Sequence, residues 1–345
     1  MADQTVCLFS TIRAPLEDTL DFAYYHLNSG IDHIYIFFDN PDDPALDILK
    51  PENRISCIRC DSDYWAKYIG NHPKSDLSIN LKQEINSRIA IKRSREDGFS
   101  WICHVDSDEL IHAPGGFRKV IAAIPPTVQV AKFPVLEVIP EKLSIQSAFH
   151  ELHNFKIAPV TLPRNKSLYL DPQEVYTFYK NDILYRTKIF RAIILGSASA
   201  RVDYIKGHSL GKSIARTNAP FDLFRSHFPT PHKNKRLKMN LISEIKLLHY
   251  DSPDFDRWKT KWHIRYRNIQ NGIIPMKLSD RRRKQYELFS SVFENGNEED
   301  LVVLFKSNFF ISPSEREVLL KTGLVTEVHL PEESFASTRG SLNLY

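Results

Sequence analysis

Four short apolar runs near the start of the chain alternate with segments of helical periodicity, and this alternation restricts the fold more than any other feature. The runs cover residues 5–12, 33–39, 54–60 and 99–105. The second of them, HIYIFFD, is almost wholly apolar, which is typical of a central strand in a sheet covered on both faces. Apolar residues recur at helical spacing over 16–27 and again within 78–97. The sequence therefore predicts an open α/β sheet with flanking helices.

The remainder of the chain continues as strands and then becomes helical. Residues 128–139 and 244–252 have the composition of strands, whereas the chain beyond 251 is mostly helical and charged. A length of 345 residues suits one large domain or two small ones. We expect a sheet domain over 1–250, a helical extension over 251–330 and a flexible tail over 331–345.

Composition and charge are those of an ordinary globular protein. Hydrophobic residues make up 42% and charged residues 26% of the chain, and the net charge of +4 is too small to indicate a nucleic-acid partner. Two basic runs, 232–238 and 281–284, lie late in the chain. Such runs are usually solvated surface, and the alternative is contact with anionic lipid or a phosphorylated partner.

The N-terminus and the cysteines favour a cytoplasmic location. The first 20 residues lack the features of a signal peptide, and no run approaches the ~20 apolar residues of a membrane span. Cys57 and Cys60 lie three apart on a predicted strand, so their side chains should point to opposite faces. Reduced structural thiols fit a cytosolic protein. Peripheral contact at the inner face of a membrane is a further expectation.

Three acidic residues follow directly on the fourth apolar run, in WICHVDSDELIH. Asp106 and Asp39 both end predicted strands, and in open α/β sheets ligands bind outside the carboxyl ends of the strands. On an extended backbone Asp106 and Asp108 would share one face, their Cα atoms roughly 6–7 Å apart. Such a pair suits a hard divalent cation, Mg²⁺ or Mn²⁺. The alternative is a surface turn with solvated acids.

Several segments in order resemble one enzyme family. DGFSWICHVDSDELIH resembles the D-x-D segment of bacterial family 2-like glycosyltransferases of the GT-A fold. Residues 16–43, 79–101, 206–218 and 247–262 are similar to further segments of that family. The resemblance implies a Rossmann-like, open mixed sheet and a metal-dependent, inverting transfer of sugar from a nucleotide-diphosphate sugar such as a UDP-sugar. The implied acceptor is a glycan or lipid-linked glycan of a surface polysaccharide or lipopolysaccharide.

The resemblance also implies roles for individual residues near the D-x-D segment. Asp106 and Asp108 would hold Mn²⁺ or Mg²⁺ against the diphosphate, with Glu109 in support, for example by binding an arginine. His249 would be a third metal ligand, with His208 as the alternative, although a histidine on an apolar strand is more often a core residue.

Other residues would contact the donor. Asp39 would bind the base or ribose, and Gln83 and Asn86 would reach the nucleotide from one helix face, unless they are merely exposed polar residues. Arg13 would neutralise phosphate or pair with an acid. Lys212, in the glycine-bounded loop GHSLGKS, would contact phosphate or be a solvated loop lysine.

The sequence leaves alternatives open for the general base and for the class of reaction. Glu137, an acid on an apolar strand, is the candidate base, with Asp182 in reserve. The alternative role for Glu137 is an ion pair with an arginine or lysine of a neighbouring strand. A metal-dependent nucleotidyltransferase or phosphotransferase could use the same acids, although no phosphate-binding glycine loop is present in the sequence. A non-catalytic glycan-binding or nucleotide-binding protein of the same fold is the third possibility.

Overall fold

The protein is described by a computed structural model in which the chain forms two compact units. Unit 1 comprises Met1–Val135, Gly211–Leu248 and Leu330–Tyr345, and unit 2 comprises Leu136–Leu210 and His249–His329. The structure describes residues 4–69, 77–157, 211–273, 280–311, 313–321 and 325–337.

Strands and helices alternate through the first half of the chain, as the apolar pattern predicts. They are β1 (Val6–Ile12), α1 (Leu16–Asn28), β2 (His33–Phe38), α2 (Ala45–Leu49), β3 (Ile55–Arg59), α3 (Ser62–Ile69), α4 (Ile79–Glu96), β4 (Trp101–His104), β5 (Glu109–His112), α5 (Phe117–Ala123), β6 (Val130–Phe133), β7 (Val135–Val138), α6 (Ala148–Glu151) and β8 (Asn154–Ile157).

The second half begins with short strands and ends in helices. The elements are β9 (Lys212–Arg216), β10 (Phe221–Phe224), β11 (Pro229–Pro231), β12 (Met239–Leu241), β13 (Lys246–His249), α7 (Phe255–Gln270), α8 (Asp280–Asn295), α9 (Glu298–Phe309), α10 (Pro313–Lys321) and β14 (Val325–Glu327), followed by a 3₁₀ turn at Glu332–Phe335.

Unit 1 is built on a mixed sheet of seven described strands in the order β12-β6-β9-β4-β1-β2-β3. Strands β4, β1, β2 and β3 are parallel to one another. Strand β9 is antiparallel to both β4 and β6, and β12 is parallel to β6. All seven residues of β1 are buried, as expected for a central strand covered on both faces. The predicted α/β class, with an open mixed sheet and flanking helices, is confirmed and is consistent with a Rossmann-like fold.

Residues 128–139 form two strands instead of the single predicted one. β6 ends at Phe133 and β7 begins at Val135, with Pro134 between them. Proline has no N–H group to donate to a sheet and is found at strand ends and bulges, so it marks the break. The Pro134 carbonyl accepts a hydrogen bond of 2.8 Å from the Leu247 N–H group.

Unit 2 combines an antiparallel sheet segment with the helical C-terminal region. β8 pairs with β7 on one side and with β14 on the other. Helices α7, α8 and α9 enclose an aromatic core that includes Trp258, Phe289 and Phe305. The predicted helical C-terminal region is confirmed. Among the described residues, no helix combines the length and apolar composition that crossing a membrane requires.

The first residues of the predicted flexible tail are anchored in unit 1. Phe335, in the 3₁₀ turn, is buried and its ring centroid lies 5.4 Å from that of Tyr25 on α1. The Asn28 side-chain amide donates hydrogen bonds to the carbonyls of Ser334 (3.0 Å) and Ala336 (2.9 Å). These contacts hold the chain against α1 as far as Ala336.

Candidate functional site

The acidic residues after β4 form a turn and not the predicted extended segment. The Glu109 N–H group donates a hydrogen bond of 3.1 Å to the Asp106 carbonyl, and residues 107 and 108 have turn conformation. The turn reverses the chain into β5. Strand alternation therefore does not place Asp106 and Asp108 on a shared face, and that expectation was wrong. The turn still lies at the carboxyl end of β4, where the sequence predicts it.

Lys212 is the first residue of β9 and lies in the protein interior. It is fully buried, and its ammonium group lies 2.6 Å from Asp106 Oδ2 and 3.0 Å from Glu109 Oε2. Glu109 Oε2 also accepts a hydrogen bond of 2.8 Å from the Asp106 N–H group. The expectation of a loop position for Lys212 was wrong. Glu109 has the supporting role that the sequence suggested, and a cation that it contacts is this lysine. The long-range pairing follows because β9 inserts beside β4 in antiparallel orientation.

Opposite charges keep Lys212 protonated in the interior. Burial lowers the pKa of the Lys212 ammonium group. The negative charges of Asp106 and Glu109 and their hydrogen bonds raise it by more than burial lowers it, so the pKa lies above its ordinary value. Lys212 therefore balances one negative charge of the turn. Gly211 permits this position, since a Cβ atom there would lie 1.8 Å from the Phe133 carbonyl oxygen.

Helix α4 directs two amide side chains towards β1 and β4. Gln83 Nε2 donates to Asp106 Oδ1 at 2.7 Å, so both carboxylate oxygens of Asp106 are engaged. Asn86 is fully buried, donates to Thr11 Oγ1 at 2.9 Å and accepts from the Tyr64 hydroxyl at 2.6 Å. The structure thus brings Gln83 to the acidic turn. Asn86 braces α4 against β1 and α3 and is not an exposed polar residue.

The acid that follows β2 lies in its own charged cluster. The Asp39 side chain is buried and accepts a hydrogen bond of 2.6 Å from Lys82 Nζ. Arg13, which is exposed, lies 4.0 Å from the other carboxylate oxygen of Asp39. The Lys82 ammonium group also lies 5.6 Å from the centre of the Trp65 ring. Sequence reasoning missed Lys82, although its position next to Gln83 in NLKQEIN placed it on the same helix.

A second buried residue that sequence reasoning missed is His104, the last residue of β4. Its ring is stacked on that of Phe9, with centroids 4.8 Å apart, and its Nε2 lies 3.7 Å from Asp106 Oδ1. Neither ring nitrogen has a hydrogen-bond partner among the described residues. Burial, followed by the charge of Lys212, lowers the pKa of His104 to about 3, so the ring is neutral.

Unit 2 holds the candidate base and the candidate third ligand. Glu137 is buried on β7, and its Oε2 atom lies 2.8 Å from His249 Nδ1. Lys156, also buried, is the residue opposite Glu137 on β8. The neighbour of Glu137 at hydrogen-bond distance is therefore a histidine, where the sequence suggested lysine or arginine. A carboxylate on Nδ1 commonly orients histidines that bind metal through Nε2.

Asp251 is a further candidate ligand that the sequence analysis overlooked. It is buried, and a carboxylate oxygen lies within 4.8 Å of a ring nitrogen of His249. The signal in the sequence was its spacing, two residues after His249 in LLHYDS. Asp182 and His208, the reserve base and the alternative ligand, lie outside the described residues.

The acidic turn has the donor atoms that a divalent cation requires. Asp106, Asp108 and Glu109 provide three carboxylate groups, and the Lys212 ammonium group lies beside two of them, Asp106 and Glu109. Carboxylate oxygens are the ligands that Mg²⁺ and Mn²⁺ prefer. The residues of the turn therefore fit such an ion by donor type, and an ion at Asp106 would share its oxygens with Gln83 and Lys212.

Comparisons with known proteins give distant relatives, and no family model matches the chain. Two Arabidopsis thaliana proteins match over 94% of this chain, Glycosyltransferase-like At3g57200 at 23% identity and Glycosyltransferase-like At2g41451 at 22%. The chain spans 62% of the length of the first and 70% of the second.

Two solved structures share weaker similarity. HddC from Yersinia pseudotuberculosis matches with a TM-score of 0.34 and 12% identity over 74% of this chain and 97% of its own. A CMP:2-keto-3-deoxy-manno-octonic acid synthetase complexed with CTP matches with a TM-score of 0.25 and 12% identity over 47% and 67%. TM-scores this low do not bear on the function of this chain. The sequence matches, in contrast, make it a distant relative of proteins named glycosyltransferase-like.

Proposed function

We propose that the chain is a glycosyltransferase that moves a sugar from a nucleotide-diphosphate sugar, such as a UDP-sugar, to a hydroxyl group of a glycan. The observation that carries the proposal is the acidic turn at the carboxyl end of β4, with Asp106 held by Lys212 and Gln83. In open α/β sheets this end of the strands is where ligands bind. The relatives named glycosyltransferase-like support the same class of reaction.

In the proposed reaction the bond between the anomeric carbon and the diphosphate breaks, and a bond to the acceptor oxygen forms. The electron pair leaves with the nucleoside diphosphate, and the acceptor proton passes to a base. A bound Mn²⁺ or Mg²⁺ would supply positive charge for the departing diphosphate. Asp106 and Asp108 would hold this ion, and His249 remains a predicted further ligand.

The proposed donor contacts lie along the same edge of the sheet in unit 1. Asp39 would accept hydrogen bonds from the ribose hydroxyls, and Lys82 and Arg13 beside it offer positive charge to the nucleotide. Gln83 would connect this region to the metal-binding turn, since its side chain already reaches Asp106. Lys212 would hold the turn in place, because its ammonium group is engaged by Asp106 and Glu109 in the interior.

Two roles are open for Glu137. The sequence predicts it as the general base that removes the proton of the acceptor hydroxyl in an inverting transfer, with Asp182 as the alternative. Its contact with His249 supports a second role, in which Glu137 orients the histidine. Glu137→Gln separates the two, because loss of a base lowers kcat at unchanged metal affinity, whereas loss of an orienting group weakens metal binding.

Calorimetric titration of UDP and GDP, with and without Mn²⁺, tests the proposal directly. We expect binding that requires the metal and is abolished in Asp108→Ala but retained in Asp47→Ala, a control that removes an exposed carboxylate from α2. Metal-independent binding, or binding of neither nucleotide, contradicts the proposal.

A panel of nucleotide sugars then identifies the reaction. Release of the nucleoside diphosphate supports sugar transfer, and release of a nucleoside monophosphate indicates a phosphotransferase instead. Release of pyrophosphate from a nucleoside triphosphate supplied together with a sugar 1-phosphate would indicate a nucleotidyltransferase. Binding without turnover of any donor, in the presence of surface-polysaccharide or lipopolysaccharide acceptors, indicates a binding protein.

A further inference from the structure

The segment that leads to the edge strand of the unit 1 sheet has an unbalanced positive charge. Between residues 229 and 243 the chain has four lysine or arginine residues and neither aspartate nor glutamate. All four side chains are exposed, and none of them has an ion pair with a described residue. They are Lys233, Lys235, Arg236 and Lys238. Such a local excess of one sign creates a surface potential that neighbouring acids do not cancel.

Exposed apolar side chains follow these cations directly. β12 lies at the edge of the described sheet, with β6 as its neighbour. Met239 is 40% exposed and Leu241 is 55% exposed. Residues two apart on a strand point to the same face, so the two side chains form one small apolar surface. We call residues 233–241 the basic edge.

The far end of the basic edge lies on the rim of the sheet that carries the acidic turn. Leu241 pairs with Lys132 near the end of β6, and Phe133 pairs with Lys212 at the start of β9. Three strand spacings separate β12 from β4 in the order β12-β6-β9-β4, which is roughly 14 Å. An acceptor held at a surface along the basic edge would therefore lie close to the rim.

We propose that the basic edge docks unit 1 onto an anionic lipid bilayer. Four cations would lie against the headgroup phosphates, while Met239 and Leu241 enter the interface between headgroups and acyl chains. Combined charge and apolar insertion is what stable peripheral attachment requires, since one signal alone binds weakly. Nucleic acid is the competing polyanion, but residues 229–243 contain no phenylalanine, tyrosine or tryptophan on which bases could stack, and His232 is the only aromatic ring of the segment.

The docking does not depend on the proposed transferase activity, and vesicle sedimentation tests it separately. Full-length protein is mixed with phosphatidylcholine vesicles, with or without phosphatidylglycerol, at low and high salt. The test variant reverses the four cations (K233E/K235E/R236E/K238E). A matched control makes the same change in net charge at four scattered exposed lysines (K50E/K67E/K119E/K306E). A third variant, M239S/L241S, removes the apolar surface.

We expect the wild type to bind only vesicles that contain the anionic lipid, and less at high salt. One cation near a membrane surface contributes about fivefold in binding, so reversal of four should lower partitioning by on the order of a hundredfold or more. The scattered control should bind far better than the test variant, and M239S/L241S should lose the binding that persists at high salt.

Three results would overturn the inference. They are binding to neutral and anionic vesicles alike, equal loss in the test variant and the scattered control, and absence of binding to any vesicle. A single-stranded oligonucleotide serves as a parallel probe. Retention of the oligonucleotide without binding of vesicles would assign the basic edge to nucleic acid. Circular dichroism of each variant verifies that these exposed substitutions leave the fold intact.

Discussion

Replacement of Lys212 by methionine should destabilise unit 1 by leaving buried negative charge without its cation. Methionine has a similar volume, so the substitution removes the charge with little change in packing. Removing one partner of a buried ion pair costs about 3–5 kcal/mol. Glu109 is only 2% exposed, whereas the Asp106 side chain is 28% exposed and is partly solvated. The penalty therefore falls mainly on Glu109, and we expect a loss of about 3 kcal/mol, at the lower end of the range.

A double-mutant cycle with Glu109→Gln identifies the source of this loss. Guanidinium denaturation followed by circular dichroism measures the wild type, Lys212→Met, Glu109→Gln and the double variant. If uncompensated charge is the cause, the double variant should be more stable than Lys212→Met, with a coupling energy of about 2 kcal/mol. The exposed control Lys119→Met should change stability by less than about 0.5 kcal/mol. Wild-type stability in Lys212→Met, or no recovery in the double variant, refutes the reasoning.

Three further predictions concern buried groups of the same unit. His26→Phe should lower the free energy of unfolding, measured by guanidinium denaturation, by about 1–3 kcal/mol. It removes the ring nitrogen that accepts the Ile111 N–H group at 3.2 Å. His104→Phe removes no formed hydrogen bond and should therefore cost less. Burial lowers the pKa of His26 from 6.5 to about 4. Between these two pH values the unfolded state therefore binds more protons than the folded state. The stability that neutral His26 contributes, roughly 3 kcal/mol, should be lost as the pH falls from 6.5 to about 4. Gly211→Ala should lower the free energy of unfolding by about 2 kcal/mol or more, because the new Cβ would lie 1.8 Å from the Phe133 carbonyl oxygen.

Each of these has a result that would contradict it. Equal losses in His26→Phe and His104→Phe would mean that hydrogen bonding does not distinguish the two histidines. For the pH dependence, the slope of stability between pH 4 and 6.5 should be smaller in His26→Leu than in the wild type, and an unchanged slope rules out His26 as its source. Gly115→Ala is the control for Gly211→Ala, because its Cβ would meet nothing within 4 Å and its φ is not positive. A loss of stability in Gly211→Ala no larger than in Gly115→Ala contradicts the steric argument.

Local pattern determined which segments of the chain become strands and helices. The four apolar runs of the first half are β1 to β4 within two residues at each end. Burial on both faces explains the continuous apolar runs of β1, β2 and β4, whereas β3 lies at the edge of the described sheet and is only partly buried. The rim position of Asp39 and Asp106 followed as well, since parallel strands end at a common edge. The prediction of one strand over 128–139 failed because Pro134 divides this largely apolar segment into β6 and β7.

Tertiary structure alone decided what each charged residue contacts. Lys212 and Asp106 lie 106 positions apart, and they meet only because β9 inserts between β4 and β6 in antiparallel orientation. Gln83 and Asn86 occupy one helix face in the sequence, yet one reaches the acidic turn and the other is buried against β1. Side-chain periodicity reports whether a residue faces the core, and it contains no information about which distant strand supplies its partner. The sequence by itself determined that acids would lie on the rim, and the order of the strands decided that a buried lysine would hold one of them.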